Sequence, residues 1–415
     1  MWNCEKSAAR IENDLNALQA FTSTPGAGCT RLPFTKETRT AADYLKQAMA
    51  TAGLAVTEDA AGNVIGVRAG RDRSLPAIVC GSHYDSVVHG GNYDGIAGVV
   101  CAIELARVLE EEHVTLAADY VAIAFMDEEG CRFGTGYFGS RAVLGEMDAA
   151  ECRTFSDLDG ITVYDAMKSY GLDPERIADA AWPAGRLGRY FEIHIEQGRV
   201  LETCGADLGI VSGIVGIRRA RVTIEGRADH AGATPMHLRR DAVDMAAQVI
   251  VEAGRLARQE KESGAVATIG CIEADPGAVN VIAGRAAFSI DVRSTDAAAI
   301  DCILAGLRRK LDDVTHDCGA SWTAEQTLAV APVRMSEDLQ ARLSASAASY
   351  QYATHVLPSG AGHDALPISS HAETAMLFVP SRNGRSHAPE EYTPPPAFAK
   401  AVHVLFDVLR TLPAN

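Results

Sequence analysis

The side chains of this 415-residue chain best suited to hold metal ions or move protons fall in four short stretches. GSHYDSVVHGGNYDG (81–95) places His83, Asp85 and Asp94 in a glycine-rich loop. Asp127, Glu128 and Glu129 form an acidic triplet directly after the apolar run 121–126. RYFEIHIEQG (189–198) carries His194, and SRNGRSHAPEE (381–391) carries His387. A two-metal hydrolase needs about eight or more donor atoms, a bridging carboxylate, and a free carboxylate to take a proton from water. Each stretch alone also admits a plainer reading. His83 with Asp85 fits an exposed polar turn, and Asn-Tyr-Asp-Gly fits a turn that opens a helix. The triplet fits a solvated acidic loop, and most single histidines are neither ligands nor catalysts.

What favours chemistry is the kind of element each stretch follows. Pro76 to Cys80 reads as a short buried strand, Ile96 to about Glu111 as an apolar-periodic helix, and Val121 to Met126 as a second strand. That order is a βαβ unit with parallel strands, and ligands collect beyond the carboxyl ends of such strands. One crevice then gathers His83, Asp85 and the triplet. Glu128 and Glu129 can both serve it only if the strand has ended by about Asp127, because neighbours in a regular strand face opposite ways. In 189–198 the alternation puts Phe191, Ile193 and Ile195 on one face, and Glu192, His194 and Glu196 on the other. Asp85, two residues beyond His83, is placed to fix the tautomer of a ligating imidazole.

The rest of the chain frames these stretches. Helices are predicted over 8–21 and from an N-cap at Thr35 to about Ala52, then strands over 54–59 and 63–70 joined by a turn at Ala61-Gly62-Asn63. Residues 142–186 are mostly polar, helical or irregular. From about Gly209 the pattern changes to a long strand or pair, a helix from Leu238 to about Glu262, strands over 265–274 and 280–294, a helix from Asp296 to Val314, and a strand over 321–330. Strand, helix, two strands, helix, strand is the split-βαβ order. The expected organisation is therefore a first domain over 1–208, an inserted α+β ferredoxin-like domain over 209–330, and the rest of the first domain over 331–415. MLFVP (376–380) and a helix over 398–412 close it. The fold class expected is α/β, a mixed sheet with helices on both faces.

Composition excludes several functions. A formal net charge of −16 argues against nucleic-acid and anionic-membrane binding, which need a basic face. The 81–95 loop is not a GxGxxG fingerprint, and its carboxylates would repel a pyrophosphate. Ten scattered cysteines without a CxxC pair point to reduced thiols in a cytoplasmic protein rather than to disulfides or a thiolate zinc site. The start lacks an apolar signal core, and no run of about 18 apolar residues occurs.

DAAGNVIG (59–66), GSHYDSVVHGGNYDG (81–95), DEEGCRFG (127–134), HIEQG (194–198), DHAGATPM (229–236), RRDA (239–242), SGAGHDA (359–365) and GRSHAPEE (384–391) together resemble one family, in its own motif order and over nearly the whole chain. It is the di-metal amidohydrolases related to aminoacylases and zinc exopeptidases. Within it, HIEQG and SGAGHDA are specific to the hydantoinase/carbamoylase branch of N-carbamoyl-L-amino acid hydrolases, β-ureidopropionases and allantoate amidohydrolases. The resemblance implies two divalent ions per subunit, zinc or manganese with cobalt or nickel as further options. His83 and His194 would bind one ion, Glu129 and His387 the other, and Asp94 would bridge. Glu128 would be the general base, Asp85 would orient His83, and His230 on the inserted domain would stabilise the oxyanion, reaching the partner's active site in a homodimer. Gln197, Asn280, Arg293, Gly360 and Ala361 would hold a small ureido acid, Arg293 through its bidentate fork.

The activity implied is hydrolysis of the terminal carbamoyl C–N bond of an N-carbamoyl-L-amino acid, releasing ammonia, carbon dioxide and the amino acid. The alternatives are allantoate amidohydrolase or β-ureidopropionase activity, and more remotely a non-catalytic binding protein, which would have been expected to lose the base or a ligand. The chain departs from the family's HAGTTPM and SHNP at Ala233 and Ala388, neither of which replaces a proposed ligand.

Overall fold

The computed structural model describes residues 3–316 and 318–413. The chain forms two compact units. The first runs to Ser212, resumes over Met335–Leu357, and continues from Gly362; the second is Gly213–Arg334 with Pro358–Ala361.

Two helices open the first unit, α1 (Cys4–Gln19) and α2 (Lys36–Thr51). The first starts earlier than its periodicity predicts because the Asn3 side chain caps it, accepting from Lys6 N. The second starts at the predicted cap, where Thr35 and Thr38 satisfy each other's backbone N–H in a capping box. Then come β1 (Ala55–Glu58), β2 (Val64–Arg68), β3 (Ala77–His83), α3 (Ile96–Glu111) and β4 (Tyr120–Phe125). α4 (Phe138–Val143) ends just inside the stretch read only as helical or irregular, which then holds α5 (Ala149–Thr154), α6 (Val163–Tyr170) and a 3-10 turn, Pro174–Ala180. β5 (Leu187–Ile195), α7 (Val200–Cys204) and β6 (Leu208–Ile214) follow.

The second unit continues with β7 (Gly216–Glu225), β8 (Asp229–His230), α8 (Ala242–Gln259), β9 (Val266–Thr268), β10 (Ile272–Asp275), β11 (Val281–Ile282), β12 (Arg285–Ser294), α9 (Ala297–His316), β13 (Ser321–Val330) and β14 (Val333–Arg334). α10 (Glu337–Ser349), β15 (Thr354–Ser359), α11 (Ala365–Ile368), β16 (Glu373–Val379) and α12 (Pro395–Thr411) complete the chain. Here α8 is shorter than predicted, because the Asp241 carboxylate accepts from Val243 N and Asp244 N and sets its start. The strands predicted over 265–274 and 280–294 are each broken in two.

The first unit's sheet has the order β1-β2-β4-β3-β5-β16-β6, with β15 also paired to β6. β3 is parallel to both β4 and β5, and β5 to β16, while β1–β2, β2–β4 and β16–β6 are antiparallel. The sheet is therefore mixed, and both its faces are buried, as expected. Ile78, Cys80, Ala122, Ala124, Phe191 and Ile193 share a core with α1, α3 and α12. The alternate residues Val79, Val121, Ile123, Phe125 and Tyr190 are equally buried on the other face.

In the second unit an antiparallel sheet of order β10-β12-β7-β13, with β9 on β12, packs one face on α8 and α9. Its core joins Val222, Ile224, Phe288, Ile290 and Val292 to Ala246, Val249, Ile303 and Leu307. All ten cysteines are free thiols. Among the described residues no helix is long and apolar enough to cross a membrane.

Candidate metal centre

His83 is the last residue of β3, where every residue is buried. Its Nδ1 lies 3.2 Å from the Asp85 carbonyl and 3.5 Å from Asp85 Oδ1, which leaves Nε2 to face the centre. The Asp85 carboxylate reaches further, accepting from Glu128 N at 3.0 Å and from Glu129 N at 3.3 Å. One aspartate thus ties the histidine loop to the acidic triplet. β4 ends at Phe125, and Asp127 takes a left-handed φ of 58°. That break is what the sequence demanded for adjacent glutamates to serve one site.

Asp94 stands just before α3, at the joint of the whole arrangement. Its Oδ1 is 3.4 Å from His83 Nε2 and 3.1 Å from His194 Nε2. Its Oδ2 is 3.3 Å from His387 Nε2, and accepts from Gln197 Nε2 at 2.7 Å and Ser386 Oγ at 2.8 Å. His194 holds its other ring nitrogen 2.8 Å from the Ile195 carbonyl. His387, whose side chain is 48% exposed, also lies 3.4 Å from Glu129 Oε1. Glu128 Oε2 is 3.7 Å from His83 Nε2. Gly95, at φ 64°, leaves no alternative side chain, since a Cβ there would come within 2.2 Å of the His83 ring.

Burial works against the Asp94 carboxylate, yet His194, His387 and His83 together hold it well below the usual range. Burial pushes Glu128 well above its ordinary value despite His83, with Glu129 adding to the rise. Burial and then Asp94 push Glu129 up to about 7. His387 rises to about 9, chiefly through its bond with Asp94. A cation reverses such pressure on carboxylates, lowering the cost of keeping them charged.

The donor set fits divalent ions. His83, Asp94 and His194 offer three atoms within 4.8 Å of one another, as do Asp94, Glu129 and His387. Ligands about 2.1 Å from a tetrahedral ion sit about 3.4 Å apart, and the spacings here are of that size. Among the described residues no hydrogen-bond donor meets the buried Glu129 Oε1, as would hold for a ligand oxygen.

The remaining predicted residues divide between the two units. Gln197 is in the first unit, with φ 60°; its Nε2 donates to Asp94, while its buried Oε1 has no hydrogen-bond partner among the described residues. His230, Asn280, Arg293, Gly360 and Ala361 belong to the second unit. His230 is exposed on β8, opposite Val281, and its Nδ1 accepts from Gly232 N at 3.0 Å and Ala233 N at 3.1 Å. Those two bonds select the tautomer with a proton on Nε2, a donor suited to an anion. Ala231 N donates to the Asn280 carbonyl at 3.1 Å, so the two segments are laced together. Arg293 donates to Asp291 Oδ1 at 2.8 Å and to the Gly360 carbonyl at 2.8 Å. Ser359 Oγ and Ala361 bond each other in the same loop.

Sequence reasoning missed a buried layer beneath the centre. Glu192 accepts from Ser82 Oγ at 2.6 Å and Ala365 N at 3.0 Å, and Asp364 accepts from Ser140 Oγ at 2.6 Å. The His363 ring stacks edge-on against His194, with centroids 4.4 Å apart. Glu192, His194 and His363 offer a further close group of donor atoms. The signal was present in SGAGHDA and in the strand alternation that put Glu192 beside His194.

Comparison with known proteins adds relatives. The model of peptidase family M20/M25/M40 matches residues 79–411. The N-carbamoyl-L-amino-acid amidohydrolase of Paenarthrobacter aurescens is 40% identical over 405 residues, covering 98% of each chain. The allantoate amidohydrolase of Bacillus subtilis is 34% identical, covering 98% of this chain and 99% of its own. A crystal structure of an amidase of the hydantoinase/carbamoylase family from Burkholderia multivorans superposes with a TM-score of 0.90 at 30% identity, over 97% of both chains.

Proposed function

The chain belongs to peptidase family M20/M25/M40, and on that premise we propose that it is a metal-dependent hydrolase of the terminal carbamoyl C–N bond of N-carbamoyl-L-amino acids. The products are ammonia, carbon dioxide and the amino acid. The observation that carries this reading is the division of Asp94, one oxygen toward His83 and His194 and the other toward His387, with the free carboxylate of Glu128 alongside. His83 and His194 would hold one ion and Glu129 and His387 a second, with Asp94 shared between them. Two bound divalent ions, zinc or manganese, supply polarisation of the ureido carbonyl and a lowered pKa for water.

Glu128 is the general base. Its buried carboxylate takes a proton from water as the oxygen attacks the carbamoyl carbon, then gives it to the departing nitrogen. Burial, which raises its proton affinity, suits both halves of that shuttle. Asp85 fixes His83 and carries the backbone of Glu128 and Glu129 with it. His230 donates from Nε2 to the developing oxyanion, a contribution commonly worth about 2.7–4 kcal/mol per donor. It does so in the partner's active site of a homodimer, so the second unit serves as lid and dimerisation domain. Gln197, Asn280, Arg293 and the Gly360–Ala361 backbone hold the ureido acid. Arg293 must then share its guanidinium between Asp291 and the substrate carboxylate. The protein works in the cytoplasm, in keeping with its free thiols.

The substrate class is that named for the Paenarthrobacter relative; allantoate, named for the Bacillus relative, is the second reading. The test is an ammonia-release screen over N-carbamoyl-L-amino acids, β-ureidopropionate and allantoate, with zinc, manganese, cobalt and nickel each restored to stripped protein. Turnover is expected highest on a carbamoyl amino acid. Preference for allantoate would move the assignment to the second reading, and no ammonia from any of them with metal bound would refute the enzyme.

A further inference from the structure

One buried carboxylate outside the proposed ligands reaches both loops on which the centre depends. Glu391 is 4% exposed, four residues beyond His387. Its Oε1 accepts from Tyr93 N at 2.9 Å and from Asp94 N at 3.0 Å, the latter across 297 residues of chain. Its Oε2 lies 3.0 Å from Ser386 Oγ, and that same hydroxyl lies 2.8 Å from Asp94 Oδ2. A Cβ at Gly91 would come within 2.1 Å of Glu391 Oε1, so the loop admits this carboxylate only because residue 91 has no side chain.

Burying a carboxylate is costly unless donors meet it; here two backbone N–H groups meet Oε1, while Oε2 and Asp94 Oδ2 share the single proton of the Ser386 hydroxyl. They act on the one residue whose position is most demanding. A bridging aspartate must present both oxygens at once, while rotation about its two side-chain bonds would swing one away. Glu391 fixes the Asp94 backbone, and Ser386 pins Oδ2, leaving Oδ1 toward His83 and His194. The same glutamate anchors the loop that carries His387, so the two halves of the donor set are joined through it.

We infer that Glu391 is a positioning residue that sets the bridging geometry of Asp94 from its backbone and, through Ser386, from its carboxylate. The inference rests on the two-ion reading proposed above. The test uses full-length protein stripped with a chelator, titrated with Zn²⁺ in competition with a chromophoric chelator, and scanned for its metal-free unfolding midpoint. The parent is expected to take two equivalents. Glu391→Ala should bind them about 10–100-fold more weakly, the usual cost of losing such support. Glu391→Gln keeps an acceptor for the two N–H groups and a partner for Ser386, and should stay near the parent.

Unchanged affinity in Glu391→Ala, whatever its midpoint, would reduce Glu391 to a structural staple and overturn the inference. A Gln variant as weak as the Ala variant would overturn it as well. Should Glu391→Ala not fold, Ser386→Ala decides: weaker binding at an unchanged midpoint supports the inference, and parental affinity overturns it. A parent that takes up no ion would instead sink the two-ion reading itself.

Discussion

A single methyl group measures how tightly the centre is drawn. At Gly95 an added Cβ would overlap the buried His83 ring, and the φ of 64° is one that side chains rarely adopt. Neither atom can retreat, because the ring is held between Asp85 and Asp94. Gly95→Ala is expected to cost about 1–3 kcal/mol from overpacking, and to abolish ion uptake; denaturant melts and metal titration read both. Glu128→Gln removes only a proton acceptor. It should keep both equivalents of metal and lose about 10²–10⁴-fold in turnover, the range of general-base contributions. Unaltered turnover would reassign the base. Both residues were legible in the sequence, Glu128 as part of an acidic triplet and Gly95 as part of a glycine-rich loop. What the loop's glycines were for was not: Gly95 makes room for a histidine ring and Gly91 for a distant glutamate, contacts that only folding creates.

The end of β4 is the element on which the acidic pair depends. Asn63, fully buried in the turn before β2, accepts from Met126 N at 3.0 Å and donates to the Gly139 carbonyl at 3.0 Å and to Asp59 Oδ2 at 2.8 Å. Its carboxamide fills the gap where the strand lets go and the chain turns toward α4. Asn63→Ala leaves Met126 N buried and unpaired, at about 1–3 kcal/mol, and takes one donor from the Gly139 carbonyl, which lies within α4. A lowered urea midpoint with impaired turnover is the expected result, and a midpoint within error of the parent would mean that water takes over both bonds. The sequence marked Ala61-Gly62-Asn63 as a turn between strands, and it is one. Its second task, setting where another strand stops, arises from packing of residues 63 and 126 and carries no local signal. The βαβ unit was legible because its periodicity is local and its handedness and strand pairing follow from chain geometry. The extent of α8 was not, since apolar spacing beyond the Asp241 cap mimicked more helix than forms.

Each compact unit has hydrophobic packing of its own among the described residues, which gives the molecule a stability that metal should affect unevenly. All five proposed ligands and the base belong to the first unit. An ion present at 100 times its dissociation constant stabilises the state that binds it by about 2.7 kcal/mol per site. Calorimetry of stripped and reloaded protein is therefore expected to show the transition of the first unit moving up with added metal while that of the second stays in place. A common shift of both would mean that the units unfold as one.

The sequence by itself determined which chemistry was available. Histidines and carboxylates at the ends of apolar runs are a local property, readable because a strand's hydrophobic period and its abrupt end are written in adjacent residues. It also supplied the family motifs, in order, from DAAGNVIG to GRSHAPEE. Only the tertiary structure decided how Asp94 divides its two oxygens, that Gln197 Nε2 donates to Asp94, and that Glu192, His363 and Asp364 form a buried layer beneath the proposed ligands. Those facts depend on residues a hundred or more positions apart meeting in a low-dielectric interior, where each polar atom must find a partner. The loop at 81–95 presents two of the five proposed ligands, His83 and Asp94, and Glu391 accepts from the Asp94 backbone across 297 residues of chain.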